Sequence, residues 1–292
     1  MTTTRRQFLA QAGIASAAAM LAPQLLSAKG KTGVGIQLYS LRDYLPKDVK
    51  GVIANIAKAG YSEVETFGYS KEGGFWGLSA KEFSALLKAN GLTTPSGHYG
   101  LDEFFGTGKM DQLNSYIDCA LATGQTYIII PGINHEFIKT KADFQTVAGK
   151  MNKIAEILKP KGLKLGYHNH NFEWHETEGT TFYDTILNET DPKLVNMEMD
   201  LYWVVRAGYK PLEIFAKHPG RFTFVHVKDM DKTNPELNTE IGSGSIDFRS
   251  ILAQAKKGGI KHFIVEQENF TNIDPYVSIA QSAKYVKSII PA

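Results

Sequence analysis

The run LKLGYHNH (163–170), continued by NFEW (171–174), decides how the chain is read. LKLGY has the short, apolar character of a buried strand. It ends on two histidines one residue apart, in a chain that has only eight. Side chains on a strand alternate between its two faces. His168 and His170 therefore point the same way, with Gly166 one layer deeper.

Outward from this run, the same pattern recurs. GVGIQLY (33–39), EVETFG (63–68), TTPSGH (93–98), YIIIPG (127–132), VNMEMDL (195–201), FTFVHVKD (222–229) and HFIVEQE (262–268) read as further strands. Amphipathic stretches such as KDVKGVIANIAKAG, SAKEFSALLKANG and FQTVAGKMNKIAEILKPKG lie between them, several ending in the glycine of a left-handed helix cap. Eight strands separated by helices over about 250 residues are what an α/β (β/α)8 TIM barrel requires. A doubly wound open sheet would announce a glycine-rich turn after its first strand, and QLYSLRDYLP (37–46) has none. No linker divides the chain, so residues 31–292 are read as one domain.

Active sites of such barrels form at the C-terminal ends of the strands. Period-two alternation there brings Gln37 from strand one, Glu65 from strand two and His98 from strand three into the mouth. It adds His168 with His170, Glu198 with Asp200, His226 with Lys228, and Glu266 with Glu268 from strands five to eight. An unpaired buried charge costs several kcal/mol, so these groups must share protons, meet cations or bind a metal. Imidazole and carboxylate without thiolate suit one divalent ion of the Mn, Co, Zn, Fe or Mg kind. Each residue also has a plainer reading: His226 as a satisfied core histidine, Asp200 as a helix cap, Glu266 as the ion-pair partner of Lys228. His135, His175, His218 and His262 fall in loops or at strand starts and read as surface residues. Trp174 and Trp203 sit just past strand ends, where an indole can form a ligand wall. Cys119, the only cysteine, forms no disulfide framework and reads as a packed helical residue.

The N-terminal thirty residues have a different character. TTTRRQFLAQAGIASAAAMLAPQLLSAKG joins a pair of arginines to a diluted, alanine-rich apolar run, a targeting pattern too short and polar for a membrane span. TRRQFLA resembles the twin-arginine export signal, which implies the export machinery as a partner and a periplasmic or exported location. Its three cations, with no acid, turn the formal charge of +2 for the whole chain into −1 for the remainder. That balance gives no electrostatic case for nucleic acid or an anionic membrane.

GIQLYSLR, YHNHNFEW, MEMDLYWVVRAG, FVHVKDMD, EIGSGSIDF and FIVEQEN together resemble the sugar phosphate isomerase/epimerase family of xylose isomerase-like TIM barrels, over essentially all of residues 33–290. The resemblance implies a metal set of glutamate, aspartate, histidine and glutamate from strands five to eight. Asp200, His226 and Glu266 match the last three. The first position departs from the family: His168 stands at the strand end and Glu173 follows five residues later, so either could be the first ligand, with His168 favoured. With that departure, Glu266 is expected as one base and Glu173, His170 or Lys228 as the second acid/base, and the strand-end positions give Gln37, Glu65, His98, Trp203 and Glu268 as expected substrate-binding residues.

Ketose epimerases of this family exchange a proton between two glutamates through an enediolate. Replacing one of them by His168 breaks that pair and makes elimination a competitor to isomerisation. With no Arg/Lys cradle at the strand ends, a non-phosphorylated keto-sugar is the expected substrate. The expectation is therefore a metal-dependent isomerase or epimerase. A lyase, dehydratase or 3-keto-glycoside-cleaving enzyme is the alternative, and a periplasmic sugar-binding protein with a vestigial site stands in another class. A DNA-repair endonuclease on the same fold would want a basic DNA face, and homo-oligomerisation is left open.

Overall fold

The apolar runs form the staves of a closed parallel barrel in the computed structural model, which describes residues 33–291. The strands are β1 (Val34–Gln37), β2 (Glu63–Thr66), β3 (Thr93–His98), β4 (Tyr127–Ile130), β5 (Lys164–His168), β6 (Val195–Asp200), β7 (Phe222–Val227) and β8 (His262–Val265). Each pairs with the next, and β8 returns to β1 with Val34 opposite Phe263. The eight expected strands are all present, each ending at or a few residues before its expected limit. The export segment expected at residues 1–30 lies outside the described residues.

Alternation along the staves sets up two cores. Outward side chains such as Ile36, Val64, Ile128, Leu165, Met197, Val225 and Val265 pack under the helical ring, each stabilising the fold by about 1.5–3 kcal/mol through burial. Inward, Tyr127, Ile129, Phe224 and Ile264 form a separate apolar plug. Gly35 and Gly166 make room for it: a Cβ at Gly35 would lie 2.5 Å from Ile264 Cδ1, and one at Gly166 3.0 Å from Ile129 Cγ1. His262, expected at the surface, is half-buried instead; its ring stacks on Phe224 at 4.4 Å and its Nδ1 lies 2.9 Å from Glu63. Above the plug the inward positions Gln37, Glu65, Ser96, His168, Glu198 and His226 are polar and buried.

One irregularity adjusts the inward set. Between Glu63 and Glu65 the pairing of β2 with β3 shifts from Thr93 to Ser96. Pro95 lies inside that shift, where it has no N–H to give to a ladder. The extra residue turns Ser96 and His98 into the barrel beside Glu65, and Ser96 Oγ donates to Glu65 Oε2 at 2.6 Å.

The end of β7 is pinned by the motif EIGSGSIDF. The Asp229 carboxylate accepts from the backbone N–H groups of Gly242 (2.8 Å), Met230 (2.9 Å), Gly244 (3.0 Å) and Ile246 (3.2 Å). A Cβ at Gly244 would sit 2.3 Å from both Asp229 Oδ1 and the Met230 carbonyl oxygen, so this approach requires glycine. The knot fixes the strand end that carries His226 and Lys228. Asp229→Ala leaves several N–H groups without an acceptor and should cost about 3 kcal/mol, measured as a lower urea midpoint. Gly244→Ala should also destabilise, through the clash.

Candidate metal centre

The mouth of the barrel is a buried stack of acids and imidazoles at two depths. In the upper level, His226 Nδ1 lies 3.0 Å from Glu266 Oε2, and His168 Nε2 lies 4.0 Å from Asp200 Oδ2. His168, Asp200, His226 and Glu266 each present one donor atom within 4.8 Å of the others, and all four are buried. Asp200 also caps the helix Leu201–Arg206, its Oδ1 accepting from Trp203 N–H at 3.1 Å. Its other oxygen, Oδ2, is buried without a hydrogen-bond partner. An orphaned carboxylate oxygen facing imidazole and carboxylate donors fits a divalent ion with N and O ligands.

The lower level contains Gln37, Glu65, His98 and Glu198. His226 Nε2 lies 2.8 Å from Glu65 Oε1, which also accepts from Gln37 Nε2 at 2.8 Å. His98 Nε2 sits between Glu198 Oε2 at 2.8 Å and Glu65 Oε1 at 3.0 Å. Thus Glu65 supports His226 from below while Nδ1 faces the upper set, the usual relation of a carboxylate to a ligating histidine.

Charge in this stack is organised by pairing. Burial lowers His98, but Glu65 and Glu198 raise it to about 9. Burial and Glu65 act to raise Glu198, yet His226 and His168 hold it at about 2. His168 is pushed well below its ordinary value by burial and by the neighbouring His226, so its imidazole is neutral, the form that binds a metal. His226 is held well above its ordinary value, against burial, by Glu198 and Glu266. A divalent ion competes with that proton for the ring nitrogen. Burial pushes Asp200 up to about 7 in spite of Lys228.

A cavity of about 520 Å³ opens above the stack. His98, His168, His170, Trp203, Glu266 and Glu268 line one part of it, and Tyr39, Phe67, Tyr69 and Tyr116 form an aromatic part. These aromatics were not singled out from the sequence, although Tyr39, Phe67 and Tyr69 directly follow the ends of β1 and β2. Glu198 was paired with Asp200 by alternation but not counted as a cation ligand.

Several expected site residues lie elsewhere. Glu173, read as a catalytic group or alternative first ligand, sits in the short helix Phe172–Trp174 and is fully buried. Its Oε1 accepts from Tyr167 O–H at 2.8 Å and its Oε2 from His170 N–H at 2.9 Å. Tyr167 alternates with His168, so this carboxyl lies behind β5, and His168 is the residue that joins the cation set. Gln37 and Glu65, expected to touch substrate, are buried in the lower level and do not line the cavity. Lys228 is buried as well; it pairs with Glu268 and Glu266 under the Trp203 ring, 5.3 Å from its centroid, and holds the two carboxylates in place. Trp174 stacks on Tyr209 at 4.3 Å, away from the cavity. Cys119 is buried, and its thiol is raised to about 12 by burial.

Burial raises Glu173 from the ordinary carboxylate range to about 7. A raised acid favours the folded state below its unfolded value, near 4.3, and that contribution is lost as pH rises through about 7. Wild-type stability should therefore fall between pH about 4.5 and about 7 by up to about 3 kcal/mol from this group. Glu173→Gln should flatten that fall when urea midpoints are compared across pH.

Residues 53–289 match the model of the family described as xylose isomerase-like TIM barrel. An inosose dehydratase of Clostridium perfringens is 27% identical over 175 residues, which is 54% of this chain and 58% of that relative. The chain thus spans little more than half the length of the curated relatives it matches. A sugar phosphate isomerase/epimerase structure from Parabacteroides distasonis is 28% identical with a TM-score of 0.79, over 90% of this chain and 96% of that one. The IOLI protein, solved with a zinc atom, shares the fold at 14% identity and a TM-score of 0.70, over 88% of this chain and 98% of its own. With the family model covering most of the barrel, the chain belongs to the xylose isomerase-like TIM barrel family.

Proposed function

We propose that the chain is a divalent-metal-dependent lyase that eliminates water or an alcohol from a non-phosphorylated keto-sugar. One observation carries this reading: the β5 side of the mouth presents His168 and His170 to the cavity, while Glu173, the carboxylate that follows β5 in the chain, is turned behind the strand. An epimerase needs an acid/base group on each face of the sugar. An elimination needs one group to take a proton and one to give it, and the same group can do both.

His168, Asp200, His226 and Glu266 would hold the ion, which when bound polarises a sugar carbonyl and acidifies the adjacent C–H. His170 supplies the proton traffic. Burial holds its imidazole at about 4, so it is neutral, and its Nδ1 is buried without a partner. It takes the proton from the carbon next to the carbonyl; that electron pair becomes a carbon–carbon double bond as the β carbon–oxygen bond breaks. The imidazolium then returns the proton to the departing oxygen. Glu268, held by Lys228, lines the same cavity and binds sugar hydroxyls. Among the described residues, the cavity lining contains no Arg or Lys, which supports a substrate without phosphate.

The names of the curated relatives support the dehydratase reading. The name of the Parabacteroides structure supports isomerisation as the second. Incubation of the metal-loaded protein with keto-sugars in deuterated water separates the two. Loss of water or of an aglycone by mass spectrometry is expected; a stereoisomer or ketose of unchanged mass, with no mass loss, would show the proposal to be wrong. His170→Gln should lower kcat by about 10²–10⁴ while leaving the bound metal content unchanged. The Arg5–Arg6 segment extends the proposal to an exported enzyme, so Arg5→Lys with Arg6→Lys should retain the protein in the cytoplasm on cell fractionation.

A further inference from the structure

Beneath the upper set, a second group of donors converges on one oxygen atom. Glu198 Oε2 lies 2.8 Å from His98 Nε2, 3.2 Å from His168 Nδ1 and 3.3 Å from His226 Nε2. The edge of a tetrahedron around an ion with metal–ligand bonds of about 2.0–2.1 Å is about 3.3 Å. The three imidazole centroids are 4.5, 5.0 and 5.5 Å apart, and rings that share such an ion are about 5 Å apart. One atom of this group, His168 Nδ1, is buried with no hydrogen bond of good geometry, and so is the second oxygen of the same carboxylate, Glu198 Oε1. Leaving a buried donor or acceptor unsatisfied costs about 1–3 kcal/mol, and a ligand on that spot removes the cost.

We propose that the barrel has a second cation position, one level below the mouth, formed by His98, His168, Glu198 and His226. Glu65 flanks it, with Oε1 3.0 Å from His98 Nε2 and 2.8 Å from His226 Nε2. The two positions share His168 and His226 but use opposite ring nitrogens: Nε2 of His168 and Nδ1 of His226 above, Nδ1 and Nε2 below. A neutral imidazole offers one lone pair and one N–H, so the shared rings serve one ion at a time. Choosing the tautomer chooses the depth.

The donor sets differ in kind. Above are two carboxylates and two imidazoles; below are three imidazoles and one carboxylate. Carboxylate-rich sets suit manganese and magnesium, whereas imidazole-rich sets suit zinc. Manganese therefore occupies the mouth position beside Glu266, and zinc the deeper one. This inference is about the resting protein and stands whether the reaction is elimination or isomerisation.

The test is to soak crystals of the unaltered protein separately in manganese and zinc chloride and locate each ion by anomalous scattering at its own absorption edge. Manganese is expected among His168, Asp200, His226 and Glu266, and zinc among His98, His168, Glu198 and His226. Both ions at the mouth, or no zinc peak in the deeper set, overturns the proposal. In solution, Asp200→Asn should weaken manganese binding about tenfold or more while zinc binding changes little, and His98→Gln should do the reverse. Equal losses for both metals in either variant would overturn it too. The crystal experiment needs no variant, so it decides the matter even if one of them does not fold.

Discussion

Burying several acids beside several bases in one dry compartment is the constraint from which the rest of this barrel follows. Neither Glu65, Glu198 nor Glu266 would remain ionised there alone, because desolvation opposes each of them. His226 makes the arrangement tenable. Its two ring nitrogens reach Glu65 and Glu266 at 2.8 and 3.0 Å, so a single side chain ties the lower level to the upper one. The remaining features serve that contact. The Asp229 knot fixes the end of its strand, the Pro95 irregularity turns His98 and Ser96 towards Glu65, and Lys228 restrains Glu266 from the side.

Packing and chemistry are separated by depth within a single interior. Tyr127, Ile129, Phe224 and Ile264 fill the bottom with apolar surface and keep water from entering below. Electrostatic interactions above the plug therefore act in a low-dielectric setting, where each is stronger than in water. The cavity roofing this compartment is aromatic on one part and ionisable on another. A sugar has apolar C–H faces and polar hydroxyl edges, and this division suits both.

Strand identity and facing were legible because period two is a property of backbone geometry. His168, Asp200, His226 and Glu266 therefore fall into one group without any structure. Depth was not legible. Alternation tells which side of a strand a residue faces, and it gives Gln37, Glu65 and His98 the same sign as Glu266. Whether a group lines the cavity or lies under it depends on stagger between strands and on local shifts such as the one at Pro95. Residues after a strand were harder still. Glu173 turns back onto Tyr167, an outward residue of the same stave, and nothing in NFEW sets that direction. Lys228 carries the inward sign, but Trp203 and Tyr202 cover it. Tyr39 and Phe67 share the inward parity of Gln37 and Glu65, but only the ionisable and amide groups were read as site candidates, and Tyr69 lies beyond any expected strand.

The closing seam of the barrel has a consequence for biosynthesis. Val34 begins the first stave and pairs with Phe263 in the last, so the ring stays open until residue 263 has been made. Such long-range pairing slows folding, because loop entropy is lost before the contact rewards it. Glu266 follows the seam by one residue. A nascent chain leaving the ribosome thus lacks both its final staple and the last donor of the mouth set until the same moment, and a truncation upstream of that point would leave neither a sealed ring nor a complete cage.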